Sequence, residues 1–313
     1  MIELSFDELK ARLFPLVRST TYRAGLALPL VRAPFLPLLY AHVALEHEGV
    51  RRLLVPEDAA LFGKTFSELL AIAVGNLALL DHELEAHPDA PGVMRLANDD
   101  GLQAARLLLP GFLAKIPELE GAVAAIPNAA TLLIAPIADA AAVERLLDLS
   151  EAAWREHPAA ISPVPYTLAD DGAVAELSLS MQHPLRDRLR RAHAELLTHA
   201  YGEQRQSLLE AAAERGVDLE VAICAATSHP DFGTVTTTQL IEGLMPLTDL
   251  VFVVWHDGDE EHAVLVERED LHRIAPSRLV PAGDFEPPLF AAVSFPNDHE
   301  IAALRAVAVW SAR

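Results

Sequence analysis

LYAHVALEHEGVRRLLVPEDAALFGKTFSELLAIAVGNLALL, residues 39–80, is the stretch whose reading decides the fold. Two apolar-rich runs, LYAHVALEHEG and VRRLLV, flank a Glu-His-Glu-Gly turn and predict a β-hairpin. Pro56 stands where a helix opens, a place that suits a residue without an N–H, and predicts a short helix to Phe62. Gly63 reads as its C-terminal cap. Thr65 and Glu68 then form a capping box, and Phe66, Leu69, Leu70, Ala73, Leu77 and Leu80 supply one broad apolar face at helical spacing.

Working outward, the spacing predicts a strand over 92–97, with Asn98, Asp99 and Asp100 as turn and N-cap of a helix over 102–115. Strands over 122–126 and 131–135 are joined by Pro-Asn, and Asp139 caps a helix over 140–156. VPYTLADDGAVAELSLS reads as a hairpin turning at Asp-Asp-Gly. At the start, Ser5 and Glu8 match a capping box, with Phe6, Leu9, Leu13 and Phe14 on one helical face. From Pro184 a long helical pattern runs to about Arg215 and stops at Gly216. Strands are expected in LEVAICAAT, TVTTTQLI, DLVFVVW, HAVLVE and LFAAVSF, ahead of an apolar ending, LRAVAVW. The expected fold class is α+β. Mixed, mostly antiparallel sheets are built from hairpin-then-helix units with flanking helices, in two regions, 1–183 and 184–313. The second is opened by the long helix.

One internal echo stands out. AHVALEHEGVRRLLVPEDAALFG and FVVWHDGDEEHAVLVEREDLHRI share strand, acidic turn, strand, then Glu-Asp opening a helix, with Glu57-Asp58 matching Glu269-Asp270. A duplicated recognition unit is one reading. The other is that hairpin-then-helix is a common arrangement, and the fixed period of a repeat family is absent.

Composition bounds the function. Hydrophobic residues make up 51%, enough for a substantial core, and aromatics only 6%, so that core is built from Leu, Ala, Val and Ile. Acids outnumber bases 45 to 24, a formal net charge of −21. Such a surface repels phosphate backbones and anionic lipid, so neither nucleic acid nor membrane is expected as a partner, whereas a basic protein is attracted. No uncharged apolar run reaches the ~18 residues that announce a membrane helix. The opening MIELSFDELKARLFPLV carries acids where a signal peptide has bases, so no such segment is expected and a cytoplasmic protein is. The single cysteine, Cys224, lies in an apolar run and reads as a buried, inert thiol.

Candidate chemistry is sparse. Gly63-Lys64-Thr65 matches the tail of a phosphate-binding loop, but Asp58 stands where the leading Gly belongs, and a C-cap followed by an N-cap accounts for the same residues. His47-Glu48 opens like a zinc-protease helix but lacks its second His, and His42 would face away from His47 on a strand. His256, Asp257, Asp259 and His262 form the densest set of potential metal ligands, on a turn whose charges also serve simply to solvate it; no metal is expected. Arg186, Arg188, Arg190 and Arg191 cluster at the start of the long helix. They are candidates for an anion or a partner's acidic loop, or for pairing with the chain's own carboxylates. G-x-S-x-G and S-x-x-K are absent, no catalytic residue is assigned, and no cofactor is expected.

FPLVRS, VPEDAALFGKTFSELLAIAVGNL, DDGLQAARLLLPGFLAKI, AAIPNAATLLIAPI and the late hairpin ending MQHPL together resemble the YtpQ-like family of bacterial proteins over about 13–185. The resemblance implies the α+β order above and carries over no catalytic residue. Members of that family often carry an Arg-Asp pair after the Pro-Asn-like turn, where this chain has Ala129-Ala130. The leading function is a non-catalytic accessory or binding protein acting through protein contacts. The alternatives are a metal-assisted hydrolase using dispersed His and Asp residues and a subunit of a larger assembly; the oligomeric state is left open.

Overall fold

A computed structural model of the chain describes residues 6–22, 30–116, 119 and 121–312. It shows an α+β fold with mostly antiparallel sheets. Its described residues divide into two units, with the division between Leu189 and Arg190.

The first unit opens with α1 (Phe6–Leu9) and a 3₁₀ turn (Lys10–Arg12), then extends as β1 (Leu13–Ser19). The helical face expected through Leu13 and Phe14 ends early because Phe14 precedes Pro15, and a residue before proline is pushed toward extended backbone. Ser5 lies outside the described residues. β2 (Arg32–Leu36), β3 (Leu39–His47) and β4 (Val50–Leu53) complete a four-stranded antiparallel sheet in which β3 pairs with the other three. His47 pairs with Val50, leaving Glu48 and Gly49 as a two-residue loop at φ 51° and 76°. Two successive positive φ values are what a type I′ turn requires to follow the strand twist.

β3 is buried on both faces. Leu13, Val43 and Leu45 pack with Leu69 and Ala73, while Leu16, Ala44 and Leu53 pack with Leu102, Ala105 and Leu109. A strand covered on both sides reads as a continuous apolar run rather than an alternating one. The exception is His42, 1% exposed, in register with Leu16 and Arg32, and with neither ring nitrogen hydrogen-bonded.

Two helices follow, α2 (Pro56–Phe62) and α3 (Phe66–Leu77). The Asp58 carboxylate accepts the Val55 N–H at 2.9 Å and holds Arg52 in a two-pronged pair. Gly63, at φ 62°, ends α2 in the left-handed conformation that favours glycine. Thr65 Oγ1 accepts the Glu68 N–H at 3.3 Å, and the Glu68 carboxylate accepts the Thr65 N–H at 2.8 Å. That backbone donor, with Lys64 and the Thr65 hydroxyl, holds the Glu68 carboxyl down at about 2.

β5 (Leu84–Ala86), β6 (Met94–Leu96), β7 (Ala122–Ala125), β8 (Leu133–Pro136), β9 (Pro165–Leu168) and β10 (Val174–Glu176) form an antiparallel sheet in the order β10-β9-β7-β8-β6-β5. Against it lies α4 (Ala140–Glu156), with Ala142, Val143, Leu146 and Leu147 on Val123, Ala125, Leu133 and Ala135. Asp139 caps α4 through the Ala142 N–H at 3.0 Å. The helix expected over 102–115 is instead two 3₁₀ turns, Ala104–Leu108 and Leu113–Lys115. Each ends on an extended residue, Leu109 and Ile116, that precedes a proline, Pro110 and Pro117. Two prolines and Gly111, at φ 67°, break what the apolar spacing alone would continue.

α5 (Arg186–Glu214) crosses the division. In the second unit, β11 (Ala225–His229), β12 (Gly233–Gln239), β14 (Leu250–Asp257), β15 (Glu260–Glu267) and β18 (Trp310–Ala312) form one sheet in that order. Only its β12–β14 pairing is parallel. β13 (Gly243–Pro246), β17 (Leu289–Ala292) and β16 (Leu279–Pro281) form a second, antiparallel sheet. LEVAICAAT is not one strand. Val221 bridges to Leu244 beside β13, and the chain then crosses to pair with β12 from Ala225. The second hairpin closes at Asp257↔Glu260 with Gly258-Asp259 as its loop, and α6 (Arg268–Ile274) follows with Glu269 and Asp270 in its first turn. Val251, Val253, Val264 and Val266 pack with Leu271 of α6 and Leu304 of α7 (Asp298–Val307), which Asn297 and Glu300 cap. Among the described residues no single helix is long and apolar enough to cross a membrane.

Two stability tests follow from these elements. Thr65→Ala removes an N-cap and is expected to cost about 1 kcal/mol in urea unfolding, and an unchanged midpoint would refute the cap's role. Burial, then the charges of Arg32 and Arg18, lowers His42 to about 4, so folding requires the neutral ring. An unfolded His titrates near ~6.5, so its stabilising contribution is complete above that pH and is lost as pH falls toward 4. The full loss is about 3 kcal/mol at ~1.4 kcal/mol per pH unit. His42→Leu is therefore expected to flatten the fall in melting temperature over that window.

Candidate functional site

The most constrained polar group described in the first unit is Arg106, fully buried in the 3₁₀ turn Ala104–Leu108. It makes a two-pronged pair with Asp100, at 2.9 Å and 2.6 Å, and donates to the Asp81 carbonyl at 3.0 Å and to His82 Nδ1 at 3.3 Å. Because Nδ1 accepts, the His82 ring is neutral; burial and then the Arg106 charge lower its pKa. Burial alone would raise the Asp100 carboxyl. Its bonds from Arg106 and the Leu102 N–H, and the charges of Arg106 and Arg51, outweigh that and hold it below the usual range. Arg51 also donates to the Asp100 carbonyl oxygen and to Glu46 at 2.7 Å, which ties the network to the β3–β4 hairpin.

Beside this network lies a cleft of about 520 Å³. Leu132, Leu133, Leu149 and Ala153 make its apolar wall, and Arg95, Asn98, Asp99, Gln103, Thr131 and His87 its polar side. Gln103 is 4% exposed and spends its Nε2 on the Asn98 carbonyl at 2.7 Å and Asp99 Oδ1 at 3.5 Å. Arg95 is engaged by Glu85 at 2.7 Å. Ala130 also lines this cleft.

The second unit holds another cleft of about 520 Å³. Met245, Phe290 and Pro281 stand in one cross-strand row over β13, β17 and β16 and form its floor. Val251, Leu247 and Leu279 continue the apolar surface. Arg268, Glu269 and His272 of α6 supply the polar rim, with Arg268 and Glu269 ion-paired. Arg268 and His272 are one helical turn apart and so share a face of α6. Such a cleft holds an apolar body and orients it through a few fixed polar groups.

The residues singled out from the sequence fall elsewhere. His256 is in register with Glu261, and His262 with Trp255, so strand alternation places the two histidines on opposite faces of the hairpin. They do not converge on one ion. His262 instead stacks on Trp255 at 5.5 Å, and His256 lies 3.6 Å from Glu261. Asp257 and Asp259 lie at the hairpin tip, where Asp257 pairs with Glu260. Among the described residues no group of three or more His, Cys, Asp or Glu is placed to hold a metal. Arg188 is committed to Glu151 at 2.9 Å and to Asp148. Arg186 and Arg190 are half-buried and Arg191 is exposed. Lys64 pairs with Glu68 at 3.1 Å, and Gly63 and Thr65 act as caps. Cys224 is buried in the second unit with Thr198 4.0 Å away, and burial pushes its thiol up to about 11.

With this geometry in place, comparison with known proteins adds nothing further: no family model, no curated protein and no solved structure matches the chain.

Arg106 and Gln103 are the residues that sequence reasoning passed over. The available signal was a lone Arg inside the apolar run LQAARLLL, downstream of Asp81, Asp99 and Asp100, since an Arg set among Ala and Leu needs a paired acid. Arg106→Met strands Asp100 and is expected to cost about 3 kcal/mol, as breaking a buried pair does. Chemical denaturation measures it, and a loss under about 1 kcal/mol would show that the pair is not a main support of the fold.

Proposed function

We propose that this chain is a non-catalytic binding protein of the cytoplasm whose second unit accepts an apolar side chain of a partner protein. The observation that carries this reading is the cleft over Met245, Phe290 and Pro281, with its apolar floor and its single charged rim on α6. The partner is a protein with a basic surface around its apolar anchor. The support is charge: the chain carries 45 acids against 24 bases. Kinship with the YtpQ-like family over 13–185 belongs to the same proposal and rests on the sequence words alone.

The test starts from native affinity capture and continues with purified components. His272→Trp changes an exposed residue and fills the mouth of the cleft, so it is expected to weaken the captured partner about tenfold or more, the scale of losing one anchor contact. Long-range attraction is screened over ~8 Å at physiological salt. The association rate is therefore expected to fall several-fold from low to high salt while dissociation changes less. A partner that tolerates His272→Trp and associates at a salt-independent rate would defeat the reading.

A further inference from the structure

The polar side of the first unit's cleft has a feature that its supporting network lacks: acceptors without donors. Gln103 Oε1 and Asn98 Oδ1 are buried and have no hydrogen-bond partner among the described residues. Their orientation is fixed by what their amide nitrogens do. Gln103 Nε2 faces the Asn98 carbonyl at 2.7 Å, and Asn98 Nδ2 faces the Asp81 carbonyl at 3.2 Å and Asp100 Oδ2 at 3.1 Å. Turning either amide over would set oxygen against oxygen. Beside them the Asp99 carboxylate is exposed, and it makes no ion pair among the described residues. The one cation on the lining, Arg95, is neutralised by Glu85. This end of the cleft is therefore negative: it carries the exposed Asp99 carboxylate, and the two amide oxygens buried beneath it have no donor among the described residues. Leu132, Leu133, Leu149 and Ala153, also on the lining, are apolar.

We propose that this cleft binds an alkylammonium group, with the cation on Asp99 and its aliphatic stem along Leu149 and Ala153. An ammonium brings three donors and no acceptor, which complements the exposed Asp99 carboxylate. A short methylene stem matches an apolar wall that water leaves unsatisfied. The same chemistry arrives either as a free diamine or as a lysine side chain of another protein. The proposal stands on the first unit alone and is independent of the cleft in the second.

Calorimetric titration of the full chain with 1,5-diaminopentane, and separately with an acetylated and amidated Ala-Lys-Ala peptide, tests it at fixed ionic strength. One saturable site is expected for at least one probe. Saturation by the diamine alone assigns a free amine, and saturation by the peptide assigns a lysine side chain. Asp99→Asn, a change at an exposed residue, is expected to weaken the site about tenfold, the scale of a charge-assisted hydrogen bond. Ala153→Leu fills the wall and is expected to abolish saturation, with melting temperature confirming that both variants fold. Absence of saturable heat with either probe would overturn the proposal. So would binding unchanged in both variants, which is the behaviour of counterions gathered by a surface of net charge −21.

Discussion

The ion pair between Arg106 and Asp100 is the constraint around which the first unit is arranged. A guanidinium with no exposed surface is tolerated only when its N–H groups are nearly all engaged, because an unpaired buried charge costs several kcal/mol. Here Asp100 takes two of them, the Asp81 carbonyl a third and His82 a fourth. Those acceptors lie on segments about twenty residues apart in sequence, so the pair fixes the loop after α3 against the loop after β6. Asp100 in turn receives the Leu102 N–H at 2.8 Å, which starts the turn that carries Arg106. The charge that needs a partner and the turn that delivers it are therefore one local structure. Gln103, the residue just before that turn, is held on the cleft by its own bond to the Asn98 carbonyl.

The two hairpin-and-helix units show how far a common local solution extends. Both close with two-residue loops and both continue into a helix with Glu-Asp in its first turn, where carboxylates meet the positive end of the helix dipole. Their packing differs. α2 buries none of its residues, and its Asp58 is spent on Arg52 and the Val55 N–H. α6 buries Leu271 into the core of its unit and lends its other side to the rim of a cleft. The order is that of a common supersecondary arrangement, and what packs around it differs between the two units.

Much of the fold was legible because it is written in short-range chemistry. Gly63, Thr65 with Glu68, and Asp139 announce caps, and the structure places caps at each. Reading failed where a local rule was outweighed by another of equal range or by distant residues. The apolar spacing of 102–115 predicted one helix, yet Leu109 and Ile116 each precede a proline and cannot remain helical at low cost. His256 and His262 looked close along the chain, but the hairpin register offsets them by one residue, and an offset of one sends side chains to opposite faces. The clefts were not legible at all. Their walls come from separate strands and helices, and no short motif records that Met245, Phe290 and Pro281 line up across three strands.

The contrast between the two clefts follows from what surrounds each. In the second unit the rim charges neutralise one another in the Arg268–Glu269 pair, so the surface that remains to be satisfied is apolar. In the first unit the nearby cations are consumed instead: Arg106 and Arg51 on Asp100, and Arg95 on Glu85. Acceptors are left over: Gln103 Oε1 and Asn98 Oδ1 find no donor among the described residues. Leaving a buried acceptor unpaired costs about 1–3 kcal/mol. The first unit thus satisfies a fully buried guanidinium and carries the cost of two unpaired amide oxygens next to it.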